Sequence, residues 1–98
     1  MAIKLPTQPK ERLRAALPDG YTEYGYDGDT GDGRAYGAYG SINFGDVSVT
    51  QWVYSLPMGL NIDAPDIVPC PYPTQTDLRG ARELVNDLQR AISFVEGL

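Results

Sequence analysis

Histidine is absent from the chain. That removes the commonest general base near neutral pH and the commonest zinc ligand, so Ser-His-Asp and Cys-His catalysis and zinc sites of the usual ligand sets are excluded. A single cysteine, Cys70, cannot close an internal disulfide, and a small secreted domain ordinarily needs such staples. No run approaches the roughly 20 apolar residues that span a bilayer, and the first residues hold no apolar signal core. These absences lead to the expectation of a cytoplasmic chain without membrane contact. Cations are also scarce: 8 Lys and Arg stand against 13 Asp and Glu, for a net charge of -5.

The 98 residues, 42% hydrophobic and 21% charged, suit one folded domain spanning 1–98, with 1–8 as an extended or disordered lead. Charge is unevenly placed. Residues 1–18 hold Lys4, Lys10, Arg12 and Arg14 against Glu11, whereas residues 19–66 hold eight acids against Arg34. An acidic body disfavours nucleic-acid phosphates, whose binding rests on Lys and Arg. The basic arm reads as a solvated helix face or as a partner for the chain's own acidic loop.

The strongest periodicity lies at Thr74 to Val95. Leu78, Ala81, Leu84, Val85, Leu88, Ala91, Ile92 and Val95 recur at three- and four-residue steps, which predicts a long amphipathic helix with one apolar stripe. Thr74 with Asp77 suggests a capping box, Pro73 with Leu78 a staple, and Gly97 the end. Such a stripe suits packing on a sheet or a two-fold helix pair, so a homodimer through this helix is one expected partnership. Gly80 implies close approach of a neighbour, or tolerance in the first turns. Pro9 to Leu17 predicts a short helix with Leu13, Ala16 and Leu17 on its apolar side, stopped by Pro18 and Asp19-Gly20.

Between the helices the period becomes that of strands. Tyr21 to Tyr26 is β-prone, Asp27 to Gly33 is a loop of glycine and aspartate, and a second run from Arg34 to Phe44 ends at Gly45-Asp46. Glycine first suits a type II′ hairpin turn. That turn sets Phe44 opposite Val47, Ile42 opposite Val49, Tyr39 opposite Trp52 and Ala38 opposite Val53. One face then carries Ala38, Ile42, Phe44, Val47, Val49 and Val53, and a one-residue slip would scramble it. Pairing the first strand across the acidic loop places Tyr24 and Tyr26 near Tyr36 and Arg34. Prolines confine Leu60-Ile62 and Ile67-Val68 to edge strands or to extended crossing segments, and the run Pro69 to Pro73 reads as polyproline-like. The expected fold is α+β: a short N-terminal helix, a three- to four-stranded antiparallel meander, and a long C-terminal helix packed on one face.

Three candidate sites emerge. Tyr39, Trp52 and Tyr54, with Ser41, Asn43 and Thr50 beside them, form an aromatic and polar patch turned away from the predicted core. It reads as a protein interface or a platform for sugar rings, or alternatively as a second small core covered by the N-terminal helix. Asp27, Asp29 and Asp32 invite a calcium reading, but Gly31, Asp32 and Ala38 stand where the EF-hand pattern wants a ligand, a glycine and a bidentate acid. A solvated hairpin loop is the plainer account. Cys70 reads as a reactive thiol or a structural cysteine, and no base is identifiable beside it. No nucleophile-base pair and no cofactor motif is present, so the chain is expected not to be an enzyme and to need no cofactor.

Ile67-Val68, followed by the helix carrying Ala81-Arg82-Glu83-Leu84, Leu88 and Ala91, resembles the C-terminal ends of small actinobacterial and actinobacteriophage proteins, which place a short sheet before an "AREL" helix. The resemblance implies a phage-related accessory protein acting in the host cytoplasm and carries over no catalytic residues. The resulting expectation is a non-enzymatic binding or adaptor protein that engages a protein partner through the aromatic face or the acidic loop. The alternative is a ligand-binding module for carbohydrate or calcium, and acidic mimicry of nucleic acid is a third reading.

Overall fold

Gly45 turns the chain with φ +60° in the computed structural model, which describes residues 6–69 and 76–98. No described non-glycine residue has positive φ, so Asp46 does not, and the pair meets the type II′ requirement. In chain order the elements are β1 (Gln8–Pro9), α1 (Lys10–Ala16), β2 (Glu23–Asp27), β3 (Arg34–Ala35), β4 (Gly37–Phe44), β5 (Val47–Leu56), β6 (Gly59–Ile62), β7 (Asp66–Pro69) and α2 (Leu78–Glu96). β4 and β5 pair in the predicted register from Phe44 opposite Val47 to Gly37 opposite Tyr54. β2 flanks β4, while β6 pairs with the Val53–Leu56 half of β5 and β7 with the Val47–Thr50 half. The α+β architecture, with an antiparallel meander and a long C-terminal helix against it, is as expected.

Two details differ. β2 pairs with β4 rather than with residues 34–36, so Tyr26 faces Ala38 and Tyr24 faces Gly40. The cause lies in the loop, which closes on itself through the Tyr36 N–H to the Asp27 carbonyl (3.0 Å) and the Thr30 N–H to the Arg34 carbonyl (3.1 Å). Arg34 and Ala35 are thereby released to pair with Pro9 and Gln8. Gln8, expected in the N-terminal lead, is therefore part of a strand.

Both helices pack on the same face of the sheet. Leu13 and Leu17 bury with Ala35, Ala38 and Val53, whereas Ala91 of α2 buries with Tyr21, Val47 and Val49. Alternation along β5 fixes this, since Val47, Val49, Gln51, Val53 and Ser55 point inward and Ser48, Thr50, Trp52 and Tyr54 outward. The ring of Tyr21 fills the space over Gly40, where a Cβ would approach it to 2.6 Å. Its hydroxyl donates to Gln51 Oε1 at 2.8 Å, and Gln51 Nε2 donates to the Asp63 carbonyl at 2.9 Å. The inner core is thus tied to the segment between β6 and β7.

Burial, reinforced by the neighbouring Tyr24, pushes the Tyr21 phenol above its ordinary value of 10.0. A phenol that holds its proton more tightly when folded contributes stability that is complete below pH 10 and is lost as pH rises through the folded value. Tyr21→Phe is expected to lower stability at pH 7 by about 1–3 kcal/mol, because Gln51 Oε1 loses its donor. It is also expected to flatten the decline in stability as pH rises above 10, followed by urea unfolding with circular dichroism. An unchanged alkaline slope would contradict the assignment. Ser55 provides a converse case. Its buried hydroxyl has no partner among the described residues, so Ser55→Ala should be neutral or stabilising by up to about 1 kcal/mol in the same assay.

α2 starts at Leu78, capped by the Asp77 carboxylate accepting the Gly80 N–H at 2.8 Å. The helix therefore begins later than the Thr74 start expected. Thr74, Pro73, Cys70 and most of the polyproline-like run lie outside the described residues. The apolar stripe proves wider than the sheet uses: Leu84, Leu88, Ala91 and Val95 pack inward, while Leu78, Val85 and Ile92 are 67%, 53% and 44% exposed. No described helix is long and apolar enough to cross a membrane.

Candidate binding face

The registers of four strand pairings build the outer face in rows. One row runs Asp27, Gly37, Tyr54, Asn61 across β2, β4, β5 and β6. The next runs Gly25, Tyr39, Trp52, and then Asp63, whose N–H donates to the Trp52 carbonyl at 2.9 Å. A third runs Glu23, Ser41, Thr50, Asp66 across β2, β4, β5 and β7. Aromatic side chains occupy the middle of the face and carboxylates stand at both margins.

The rings are held as a unit. Tyr39 and Trp52 have centroids 4.9 Å apart, and Trp52 stacks on Tyr54 at 5.6 Å with planes within 5°. Glycine makes room for this. A Cβ at Gly25 would come within 2.5 Å of the far end of the Tyr39 ring, and one at Gly37 within 3.0 Å of Tyr54. The two tyrosines therefore lie down across neighbouring strands instead of standing upright. All three aromatic residues are half-buried, although neither α1 nor α2 packs on this side. Cover by the N-terminal helix, one of the two readings of the patch, is thus not what the fold does: Leu13 and Leu17 meet Ala38 and Val53 on the opposite face. The polar residues beside the rings satisfy one another. Ser48 Oγ donates to Asn43 Oδ1 at 2.6 Å and Thr50 Oγ1 to Ser41 Oγ at 3.4 Å.

Electrostatically the face is one-signed. Its strand positions carry Glu23, Asp27 and Asp66 and no Lys or Arg, and Asp63 joins them through its contact with Asn61 Nδ2 (2.9 Å). Burial raises the Tyr54 phenol, and the carboxylates of Asp63 and Asp27 raise it further. The ring between those two acids stays neutral over the physiological range.

The acidic loop behaves differently. Asp29 pairs with Lys10 Nζ and accepts the Gly31 N–H at 2.8 Å; Asp32 accepts from the Thr30 hydroxyl and from the Arg34 N–H at 3.2 Å. Hydrogen bonding, from Lys10 first in one case and Thr30 in the other, holds both carboxyls below their ordinary range. Asp27 stands apart at the end of β2, and among the described residues no three potential metal ligands converge. The loop uses its acids to fold itself. On the inner side, an open groove of about 580 Å³ lies between the hairpin and α2, with Arg90 over the Phe44 ring at 5.3 Å.

Of the residues predicted from sequence, Tyr39, Trp52, Tyr54, Asn43 and Thr50 share one face, whereas Asp29 and Asp32 belong to a separate loop. Glu23, Asp63 and Asp66 were missed as parts of the face. Register was a signal for Asp63 alone: continuing the β6 pairing sets Asp63 opposite Trp52 but would set Asp66 opposite Val49, and a one-residue shift between β6 and β7 brings Asp66 opposite Thr50. Compared with protein-family models, curated proteins and solved structures, the chain matches none.

Proposed function

We propose that the chain is a non-enzymatic binding protein of the adaptor kind, acting by protein–protein contact through the outer face at Tyr39, Trp52 and Tyr54. The observation that carries this is the set of three mutually packed rings on a face that neither helix covers. Trp and Tyr give large contact area at low entropic cost and dominate the hot spots of interfaces. A chain without histidine favours binding over acid-base catalysis. The "AREL" helix resemblance supports a phage-encoded accessory protein working in the host cytoplasm. The acidic loop is the lesser surface, because its carboxylates already have internal partners.

Affinity capture from an actinobacterial lysate tests this reading, comparing wild type with Trp52→Ala/Tyr54→Ala. A specific band lost only with the double variant is expected, and identical captured sets would contradict it. A glycan array separates the carbohydrate alternative, which requires a response dependent on the same two residues.

We also assign a second copy of the chain to the exposed row of α2. Leu78, Val85 and Ile92 recur every seven residues, and on the adjacent row Arg82, Gln89 and Glu96 are symmetric about Gln89. An antiparallel pair brings Arg82 of one copy to Glu96 of the other. Sedimentation equilibrium at about 100 μM is expected to give a dimer that Val85→Glu/Ile92→Glu converts to a monomer. A wild-type monomer would refute it.

A further inference from the structure

Building on the binding role of the outer face, we infer that its ligand is a cationic segment, with arginine or lysine heads set over the Tyr39–Trp52–Tyr54 strip and bonded to the carboxylates along its margins. The inference rests on how the rings and charges are arranged together. Asp27 and Glu23 stand on β2, Asp63 and Asp66 on the far side of β5, and the aromatic residues lie between. Strands are spaced about 4.8 Å apart, so the margins lie roughly 14 Å from each other. A guanidinium above the central rings can therefore reach a carboxylate on either side with an extended side chain.

Each half of the arrangement explains what the other does not. Aromatic faces alone accept sugars, apolar side chains or cations. Carboxylates alone attract any positive charge. A cation over an aromatic face gains from the ring quadrupole, and arginine adds planar stacking and a fork matched to carboxylates. The chain's own cations already show this preference elsewhere: Arg14 sits 3.5 Å from the Tyr24 ring centre, Lys10 5.2 Å from that of Tyr26 and Arg90 5.3 Å from that of Phe44. The largest aromatic cluster of the outer face has no such partner from its own strands, whose outward positions hold no Lys or Arg. The same negative margin repels phosphate backbones and acidic peptides. It also distinguishes a cationic ligand from a neutral glycan.

Trp52 is the only tryptophan and reports occupancy directly. The probes are nona-arginine, nona-lysine, a nine-residue Gly/Ser peptide, nona-glutamate and maltohexaose, each titrated against Trp52 emission at about 50 mM and 500 mM NaCl. Saturable binding of nona-arginine is expected, weaker binding of nona-lysine, and a loss of about tenfold or more at the higher salt. Asp27→Asn/Asp63→Asn is expected to weaken nona-arginine about tenfold. Asp29→Asn/Asp32→Asn, which removes the same charge from the loop, should leave it within about twofold. Equal weakening by both pairs would overturn the inference, since attraction would then follow net charge. So would the absence of a saturable response to nona-arginine. Equal binding of the Gly/Ser peptide or maltohexaose would sink the cationic ligand while keeping the face as a binding surface. A saturable response to nona-arginine that Tyr54→Ala leaves unchanged would instead remove the face itself.

Discussion

Leu13→Ala is expected to destabilise the protein by about 2–5 kcal/mol, the range for emptying a buried leucine site that cannot collapse. Leu13 is fully buried and stands among Leu17, Ala35, Ala38 and Val53. The inner surface there is lined by alanines, and their small side chains give α1 a shallow seat that a leucine fills. A seven-residue helix has little stability of its own, so its position depends on this contact. Total stability of a domain this size is about 5–15 kcal/mol, and the loss is a large share of it. Denaturant unfolding gives the number. A change below about 1 kcal/mol would mean that α1 is not docked where the structure puts it, and the outer face would then again be open to cover by α1.

Trp52→Ala/Tyr54→Ala is expected to do the opposite: abolish binding, by at least about a hundredfold, at a cost to stability of about 1–3 kcal/mol. The binding figure follows from the loss of two aromatic anchors, each of which in a hot spot is worth about 2 kcal/mol or more. The stability figure follows from the two ring pairs that the variant removes, Tyr39–Trp52 and Trp52–Tyr54, at about 0.5–1.5 kcal/mol each. A loss of roughly 3–5 kcal/mol from Trp52→Ala alone would identify a core residue instead. Gly25→Ala offers a milder version. Its Cβ would displace the distal end of Tyr39 and alter Trp52 emission while leaving the unfolding midpoint close to wild type.

The contrast between these variants also shows where sequence was informative. Gly45-Asp46 followed by alternation leaves one register that gathers Ala38, Ile42, Phe44, Val47, Val49 and Val53 on a single face, and the structure has that register. Gly97 was legible as the stop of α2: it is the C-cap, and its N–H donates to the Ser93 and Phe94 carbonyls. The pairing of β2 was harder to read, since Gly25, Gly37 and Gly40 carry no side chain to declare a face and tyrosines at 24, 26, 36 and 39 suit several alignments. The seat of α1 was hidden for another reason: Leu13 and Leu17 make a stripe narrow enough for either side of the sheet, and only the alanines at 35 and 38 decide between them. Two-residue pairings such as β1 with β3 have no periodicity to detect. The acidic margin of the face depends on where residues 63–66 cross from β6 to β7. Pro65, at that crossing, breaks the strand pattern that would have placed Asp66.

Acrylamide quenching of Trp52 in the folded protein reports whether the aromatic face is uncovered. Quenching about half as efficient as in the urea-unfolded chain or better is expected, limited by Tyr39 and Tyr54 rather than by a covering element, and lowered further when nona-arginine is added. Strong protection of Trp52 in the free protein would contradict an uncovered face and would mean that the face is already occupied.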